Sequence, residues 1–350
     1  MLVLLDVSTH FTAAPVTLGA RAAVFLRRGT AMIVEVAEEG RYIHAERGFV
    51  VIHEKDQELG RIPLDTLTGL IISAQGATLS KLLLARLGGM NIPVVICGTN
   101  YLPISITTPV SAHYKHLEIA QAQVAAPESL KKEIWQGIVQ AKLRNQVTIL
   151  LHHAPAAEKT RERIVTFSRK VLPGDPDNYE ANAARLYWPA LFGKSFGRHV
   201  EQEGINAMLN YVYAVLRACV ARAICAAGLL PLFGVHHRNK LNSFCLADDL
   251  MEPLRPLGDD IVRSLVVADV SCELTPQKKR TLCAIVERRI FMHGKQTRFI
   301  PATHMVAQSL AASFGAGSNQ LCLPCLAPPE RDNQKQAAPA DASQWASVKA

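Results

Sequence analysis

No stretch of this sequence approaches the roughly 20 consecutive apolar residues that a helix needs to cross a bilayer. The opening Met1-Leu2-Val3-Leu4-Leu5-Asp6 is too short and too soon interrupted to serve as the apolar region of a signal peptide. No membrane partner is therefore expected, and the chain reads as soluble and cytoplasmic. Acidic residues are in the minority: 30 Asp and Glu stand against 38 Lys and Arg, a formal net charge of +8. That balance fits a polyanion partner such as nucleic acid, or a solvated basic face. Cysteine forms no framework either. The 8 cysteines are scattered, and Cys322-Leu323-Pro324-Cys325 is the only CxxC. Zinc normally takes four ligands and no second pair stands nearby, so this reads as a chance pair among reduced thiols. No internal repeat is present.

What is present is ample apolar material, 49% of 350 residues, enough for two domains with real cores. Between 31 and 110 the pattern is β-rich. Short runs with β-branched residues predict strands at Met32–Val36, Phe49–Glu54, Leu67–Ser73, Ile92–Ile96 and Ile104–Thr108, punctuated by glycines, with one helix over Leu79–Leu87. After Ser111 helical periodicity takes over. Helices are expected over 128–151, with a basic face of Lys131, Lys132, Lys142 and Arg144, and over Tyr179–Phe192, Ile205–Ala226, 258–267, 275–291 and 302–314. From Ala327 the composition turns to Pro, Ala, Gln and Asp, which predicts a disordered tail over 327–350. The fold class is α+β: a small β-rich N-terminal domain at 32–110, a linker at 111–118, and a larger all-helical C-terminal domain at 119–320.

The chemistry concentrates in Gly234–Pro256, where His236, His237, Arg238, Asp248, Asp249, Glu252 and Arg255 fall among apolar or small spacers. Carboxylates suit hard divalent cations, an imidazole suits Mn²⁺ better than Ca²⁺, and guanidinium forks match phosphate oxygens. The set suggests metal-assisted chemistry on a phosphodiester. Asp249 and Glu252 are three apart and share one face of a helical turn. They also fit surface acids paired with Arg255. His237 fits either a ligand or a hydrogen-bonded structural histidine, and adjacent His236 leaves the choice between the two open. Upstream, Glu180 lies in Asp177-Asn178-Tyr179-Glu180-Ala181-Asn182-Ala183-Ala184-Arg185, where it also fits a residue favouring a helix N-terminus.

The His237 offset from Gly234, the Asp249-Leu250-Met251-Glu252-Pro253 run ending in Arg255-Pro256, and Glu180-Ala-Asn-Ala-Ala-Arg185 together resemble the family of CRISPR-associated protein one. Asn206–Tyr211, Gly228–Pro231, Ile72–Gly76, Cys97–Pro103 and Gln136–Lys142 fit as well, so the resemblance runs from about Met32 to Phe314. The Leu246–Pro253 form is similar to the type II branch. The resemblance implies a metal-dependent DNA endonuclease and integrase that inserts short spacers into a CRISPR array by 3′-hydroxyl transesterification. A nuclease on branched or single-stranded DNA, without integration, is the alternative.

It further implies a metal, Mg²⁺ or Mn²⁺, on Glu180, His237 and Glu252, with Asp249 as a further acid of the catalytic site. It implies that the β domain makes a homodimer and that CRISPR-associated protein two completes a heterohexamer on prespacer and leader–repeat DNA. Arg238, Lys240, Arg255, Lys278, Arg288 and Arg289, with Lys279, Arg280 and Lys295, are candidate backbone contacts. Residues 1–31 fall outside the resemblance and are expected to be a leader, or translation from an upstream start codon ahead of Met32.

Overall fold

A computed structural model of the chain describes residues 2–4, 16–18, 22–24, 32–98, 103–107, 109, 116–199, 202–269 and 271–326. The expected tail at 327–350 and residues 111–115 of the expected linker lie outside them. Within 1–31, strands β1 (Leu2–Leu4), β2 (Val16–Leu18) and β3 (Ala22–Val24) are described, and β2 pairs with β3. β1 lies antiparallel to β4 (Met32–Val36), so part of the expected leader adds an edge strand to the β domain.

β5 (Arg41–Glu46), β6 (Phe49–Glu54) and β7 (Gln57–Pro63) form an antiparallel meander. The β5–β6 turn is Arg47-Gly48, both at positive φ, the two-residue hairpin geometry that follows strand twist. Next come β8 (Leu67–Ile72), β9 (Thr78–Leu79), α1 (Lys81–Gly89), β10 (Val94–Cys97) and β11 (Pro103–Thr107). One sheet runs β1-β4-β8-β10-β11 with a parallel centre, and the other runs β7-β6-β5-β9. Strand alternation splits the first sheet's side chains. Val34, Val36, Leu70, Ile72 and Val94 pack with Ile43, Val50, Ile52, Leu83 and Leu87 inside the domain. Ile33, Ile71, Val95 and Cys97 join the helical core on the opposite face. With both faces covered, β4 and β8 are apolar on both faces apart from Glu35 in β4 and Thr68-Gly69 in β8.

The helical region comprises α2 (His116–Ala125), α3 (Glu128–His153), α4 (Glu158–Lys170), α5 (Tyr179–Phe192), α6 (Ile205–Ala226), α7 (Cys245–Met251), α8 (Arg255–Ala268) and α9 (Pro276–Cys283). It closes with β12 (Arg289–Met292), β13 (Lys295–Arg298) and α10 (Phe299–Ala316). The region is mostly but not wholly helical. The expected helix over 275–291 stops at Cys283, because Arg289–Met292 turns back on Lys295–Arg298 through His293-Gly294, both at positive φ. Phe291 pairs across to Cys325, which places one cysteine of the CxxC in a backbone bridge beyond residue 320. α6 is, by length and composition, long and apolar enough to cross a membrane, which corrects the expectation that no segment would be. Its apolar window is 78% buried at the centre of the helical core.

Candidate active site

Glu180 stands in the first turn of α5, yet the helix start is capped by other residues. Asn178, at φ 52°, accepts from Ala181 N at 3.3 Å. The two Asp175 oxygens accept from Tyr179 N and Glu180 N at 2.9 and 3.0 Å. These groups satisfy the orphan N–H donors of the helix, so the Glu180 carboxylate is free of capping. It meets Lys142 of α3 instead, Nζ to Oε1 at 2.5 Å.

The same ammonium lies 2.6 Å from Oε2 of Glu252, in the turn between α7 and α8. Glu252 is buried, and its Oε1 forms an ion pair with Arg255, Nε 2.8 Å away and one helical turn on, without hydrogen-bond geometry. Asn145, one turn past Lys142 on α3, donates to Pro253 O at 2.8 Å and holds this turn in place. Burial alone would raise the Glu252 pKa, but Arg255 and then Lys142 outweigh it and hold the carboxyl down at about 2. Burial likewise penalises the Lys142 ammonium, and Glu252 and Glu180 reverse that, raising its pKa above the ordinary lysine value. Although Oε2 of Glu252 is this close to Lys142, it receives no well-directed hydrogen bond, leaving a buried acceptor with unused lone pairs.

Asp249, one turn before Glu252, has no exposed surface. Its Oδ2 accepts from Val235 N at 2.6 Å and His236 N at 3.0 Å, and its Oδ1 accepts from His237 N at 3.2 Å. Oδ1 also meets His237 Nδ1 at 2.6 Å. The hydrogen bond to Asp249 raises the His237 pKa against the opposing effect of burial. With Nδ1 engaged, Nε2 is the nitrogen left for a ligand, the arrangement that orients metal-binding histidines. His236 instead lies flat on Trp135, rings 4.0 Å apart and 3° from parallel, and burial lowers its pKa. Gly234 is required for this loop: a Cβ there would fall 2.5 Å from His237 O and 2.7 Å from Asp249 Oδ2.

Residues 34–272 match the family model described as CRISPR associated protein Cas1. The chain belongs to the Cas1 family. It is 34% identical over 277 residues to the CRISPR-associated endonuclease Cas1 of Neisseria meningitidis, covering 79% of this chain and 90% of that one. It is 27% identical over 303 residues to a second such endonuclease, from Pyrobaculum aerophilum, covering 81% of this chain and 99% of that protein. Its fold is similar to a casposase bound to integration product, with TM-score 0.69 and 19% identity over 86% of this chain and 94% of the other. A CAS1 protein from Thermotoga maritima gives TM-score 0.64 and 15% identity over 83% and 98%.

In this Cas1 chain, Glu180 and Glu252 thus meet on Lys142, and His237, held by Asp249 one turn before Glu252, lies near enough to feel the Glu252 charge. Two carboxylates, an unsatisfied buried carboxylate oxygen and a held imidazole form a donor set that fits Mg²⁺ or Mn²⁺. Asp249, expected as a further acid of the site, has its oxygens engaged by three backbone N–H groups and a ring nitrogen. Lys142 departs from its expected basic face, being buried while Lys132 and Arg144 are exposed. Its signal was legible: it continues the buried stripe Ile134, Ile138, Asn145, Ile149, where a lysine needs a partner.

The candidate DNA contacts divide. Lys240, Arg288 and Arg289 are exposed, and Arg238 is exposed while paired with Glu128. Arg255 and Lys278 turn inward to protein partners. Arg255 holds Glu252 and lies 4.6 Å from the Tyr213 ring centroid, and Lys278 holds Ser271 O and Asp269. Elsewhere His152, His153 and Asp260 place one ligand atom each within 4.8 Å of one another, a His/Asp group able to hold a metal. Arg288 already pairs with Asp260 there and puts a positive charge against any ion.

Proposed function

We propose that this protein inserts short DNA segments into a CRISPR array by transesterification. The observation that carries the reading is the pairing of Glu180 and the buried Glu252 on one lysine, with the Asp249-held His237 near enough to feel the Glu252 charge, in a Cas1-family chain. A 3′-hydroxyl of the incoming DNA attacks a phosphorus at the repeat boundary. One P–O bond forms as another breaks, and the departing oxygen leaves as a new 3′-hydroxyl, so no energy source is required. Glu180, Glu252 and His237 would hold a divalent ion, Mg²⁺ or Mn²⁺, which would supply Lewis-acid polarisation of the phosphate and favour ionisation of the hydroxyl. Arg255 keeps Glu252 ionised across the physiological range. Asp249 keeps His237 in the tautomer that presents Nε2. Arg198 and Arg217, beside Tyr213, line a cavity of about 340 Å³ next to Arg255, a basic wall suited to a DNA phosphate.

The wider reading follows from the family. The β domain pairs two copies of the chain, and the exposed Leu82, Leu84 and Met90 of and beside α1 supply apolar surface for such a contact. The Cas2 protein is the proposed partner in a larger assembly, as in the solved Cas6-RT-Cas1–Cas2 complex whose fold this chain shares at TM-score 0.70 and 16% identity. It covers 88% of this chain and 37% of that one. The type II branch and a cytoplasmic setting belong to the same proposal.

The test is strand transfer of a short duplex into a supercoiled plasmid carrying a leader–repeat, with Mg²⁺ or Mn²⁺. Glu180→Ala, His237→Ala and Glu252→Ala should each lower joining about a hundredfold or more, while His236→Ala retains it. A 3′-deoxy duplex should abolish joining. Persistent metal-dependent cleavage with no joined product from either duplex would make the chain a nuclease rather than an integrase.

A further inference from the structure

The ammonium of Lys142 occupies the space between the two glutamates of the proposed metal site. It lies 2.5 Å from Glu180 Oε1 and 2.6 Å from Glu252 Oε2. Its side chain is only 10% exposed, and α3 carries it from the buried stripe rather than from a flexible surface loop. A divalent cation bound by these glutamates would need the same carboxylate oxygens, at about 2.0–2.1 Å for Mg²⁺, so the ammonium and the ion exclude each other from one position. Without either cation, the buried Glu252 would face Glu180 with Arg255 alone as compensation. Arg255 cannot take both roles, since its Nε is on Oε1 of Glu252, the oxygen that Lys142 leaves free.

We propose that Lys142 is a resident counter-ion of the active site: it holds Glu180 and Glu252 together in the metal-free protein and withdraws when a divalent cation binds. It is a positioning residue, acting through the two carboxylates. The inference rests on the reading of Glu180 and Glu252 as metal ligands. Two consequences follow. The site is assembled before the ion arrives, so the wild-type protein is nearly as stable without metal as with it. The ion competes with a tethered ammonium, so metal affinity is held below what the ligand set alone would give.

Lys142→Met in the full chain separates these effects without an activity assay. Mn²⁺ binding, followed by the free-ion EPR signal, should tighten at least tenfold. The melting temperature in EDTA should fall by several degrees and return towards the wild-type value in saturating Mn²⁺. Purification in the presence of Mn²⁺ should keep the variant folded, and failure to fold under that condition would overturn the proposal by making Lys142 a packing residue. Unchanged or weaker Mn²⁺ binding would overturn it equally. Glu252→Gln serves as the control on the underlying reading. If wild-type Mn²⁺ binding survives Glu252→Gln unaltered, the metal-site assignment fails. If Glu252→Gln abolishes binding and Lys142→Met changes nothing, the assignment stands and the counter-ion role alone falls.

Discussion

Asp249 shows how much of an active site is built by a residue that need not touch the reacting atoms. Its carboxylate replaces water for three consecutive backbone N–H groups, Val235 to His237, and also grips the His237 ring. A buried donor left without a partner costs about 1–3 kcal/mol. Asp249→Ala should therefore lower unfolding free energy by on the order of 3 kcal/mol in urea titrations. Asp249→Asn, which retains one acceptor oxygen, should fold but lose roughly 10- to 100-fold in strand transfer, the usual effect of disturbing a histidine's supporting partner. Wild-type joining in Asp249→Asn would mean that His237 orientation is set elsewhere, by the Trp135 edge contact for instance.

At the scale of elements, one buried carboxylate ties three helices together. Asp259 of α8 accepts from Tyr187 of α5 at 2.9 Å and from Tyr213 of α6 at 2.5 Å. Burial pushes its pKa up to about 6, against the lowering effect of the two tyrosine hydroxyls. A carboxyl whose folded pKa is raised binds its proton more tightly in the folded state. Its stabilising contribution is thus complete below the unfolded value of 3.8 and is lost as pH rises through about 6. Glu252 behaves oppositely: its contribution is present above 4.5 and is lost only as pH falls through about 2. Between pH 5 and 7 the Asp259 effect therefore stands alone of the two and amounts to about 1 kcal/mol. Asp259→Asn should remove that decline from the stability–pH curve measured by urea unfolding. A curve of unchanged slope in the variant would assign the pH dependence to other groups.

Across the whole molecule, the β domain and the helical region share a core. The outer face of the first sheet is buried against helices, and Glu35 of β4, fully buried, accepts from Ser73, Tyr211 of α6 and Lys279 of α9. A rigid junction of this kind fixes the active site relative to any surface the β domain offers a second copy. The net charge of +8 acts at the same scale. Each phosphate neutralised on duplex DNA contributes about −0.9 to the log–log salt slope of affinity. Arg289→Ala, at an exposed position, should reduce that slope by about 1, whereas Lys278→Ala should leave the slope alone and lower thermal stability. A salt titration showing the reverse would place Lys278, not Arg289, on the DNA.

Periodicity and composition alone specified much of the local structure. α5 and α6 begin and end where apolar spacing and Gly228 place them, and β4 and β6 match their β-branched runs. Such signals are carried by neighbours in the chain. The candidate ligands became legible only through resemblance, because a lone glutamate in a helix's first turn looks the same whether it caps, pairs or ligates. Tertiary structure alone decided that Lys142 leaves the basic face for Glu180 and Glu252, that Arg255 and Lys278 point inward, and that Asp249 supports His237. The Lys142 and Asp249 outcomes depend on which charges meet across the chain, 38 residues apart for Lys142 and Glu180 and 12 for His237 and Asp249. Arg255 and Lys278 turn to nearby partners because burial makes every unpaired group costly. Spacing tells which face a residue occupies. What faces it is settled only when the helices pack.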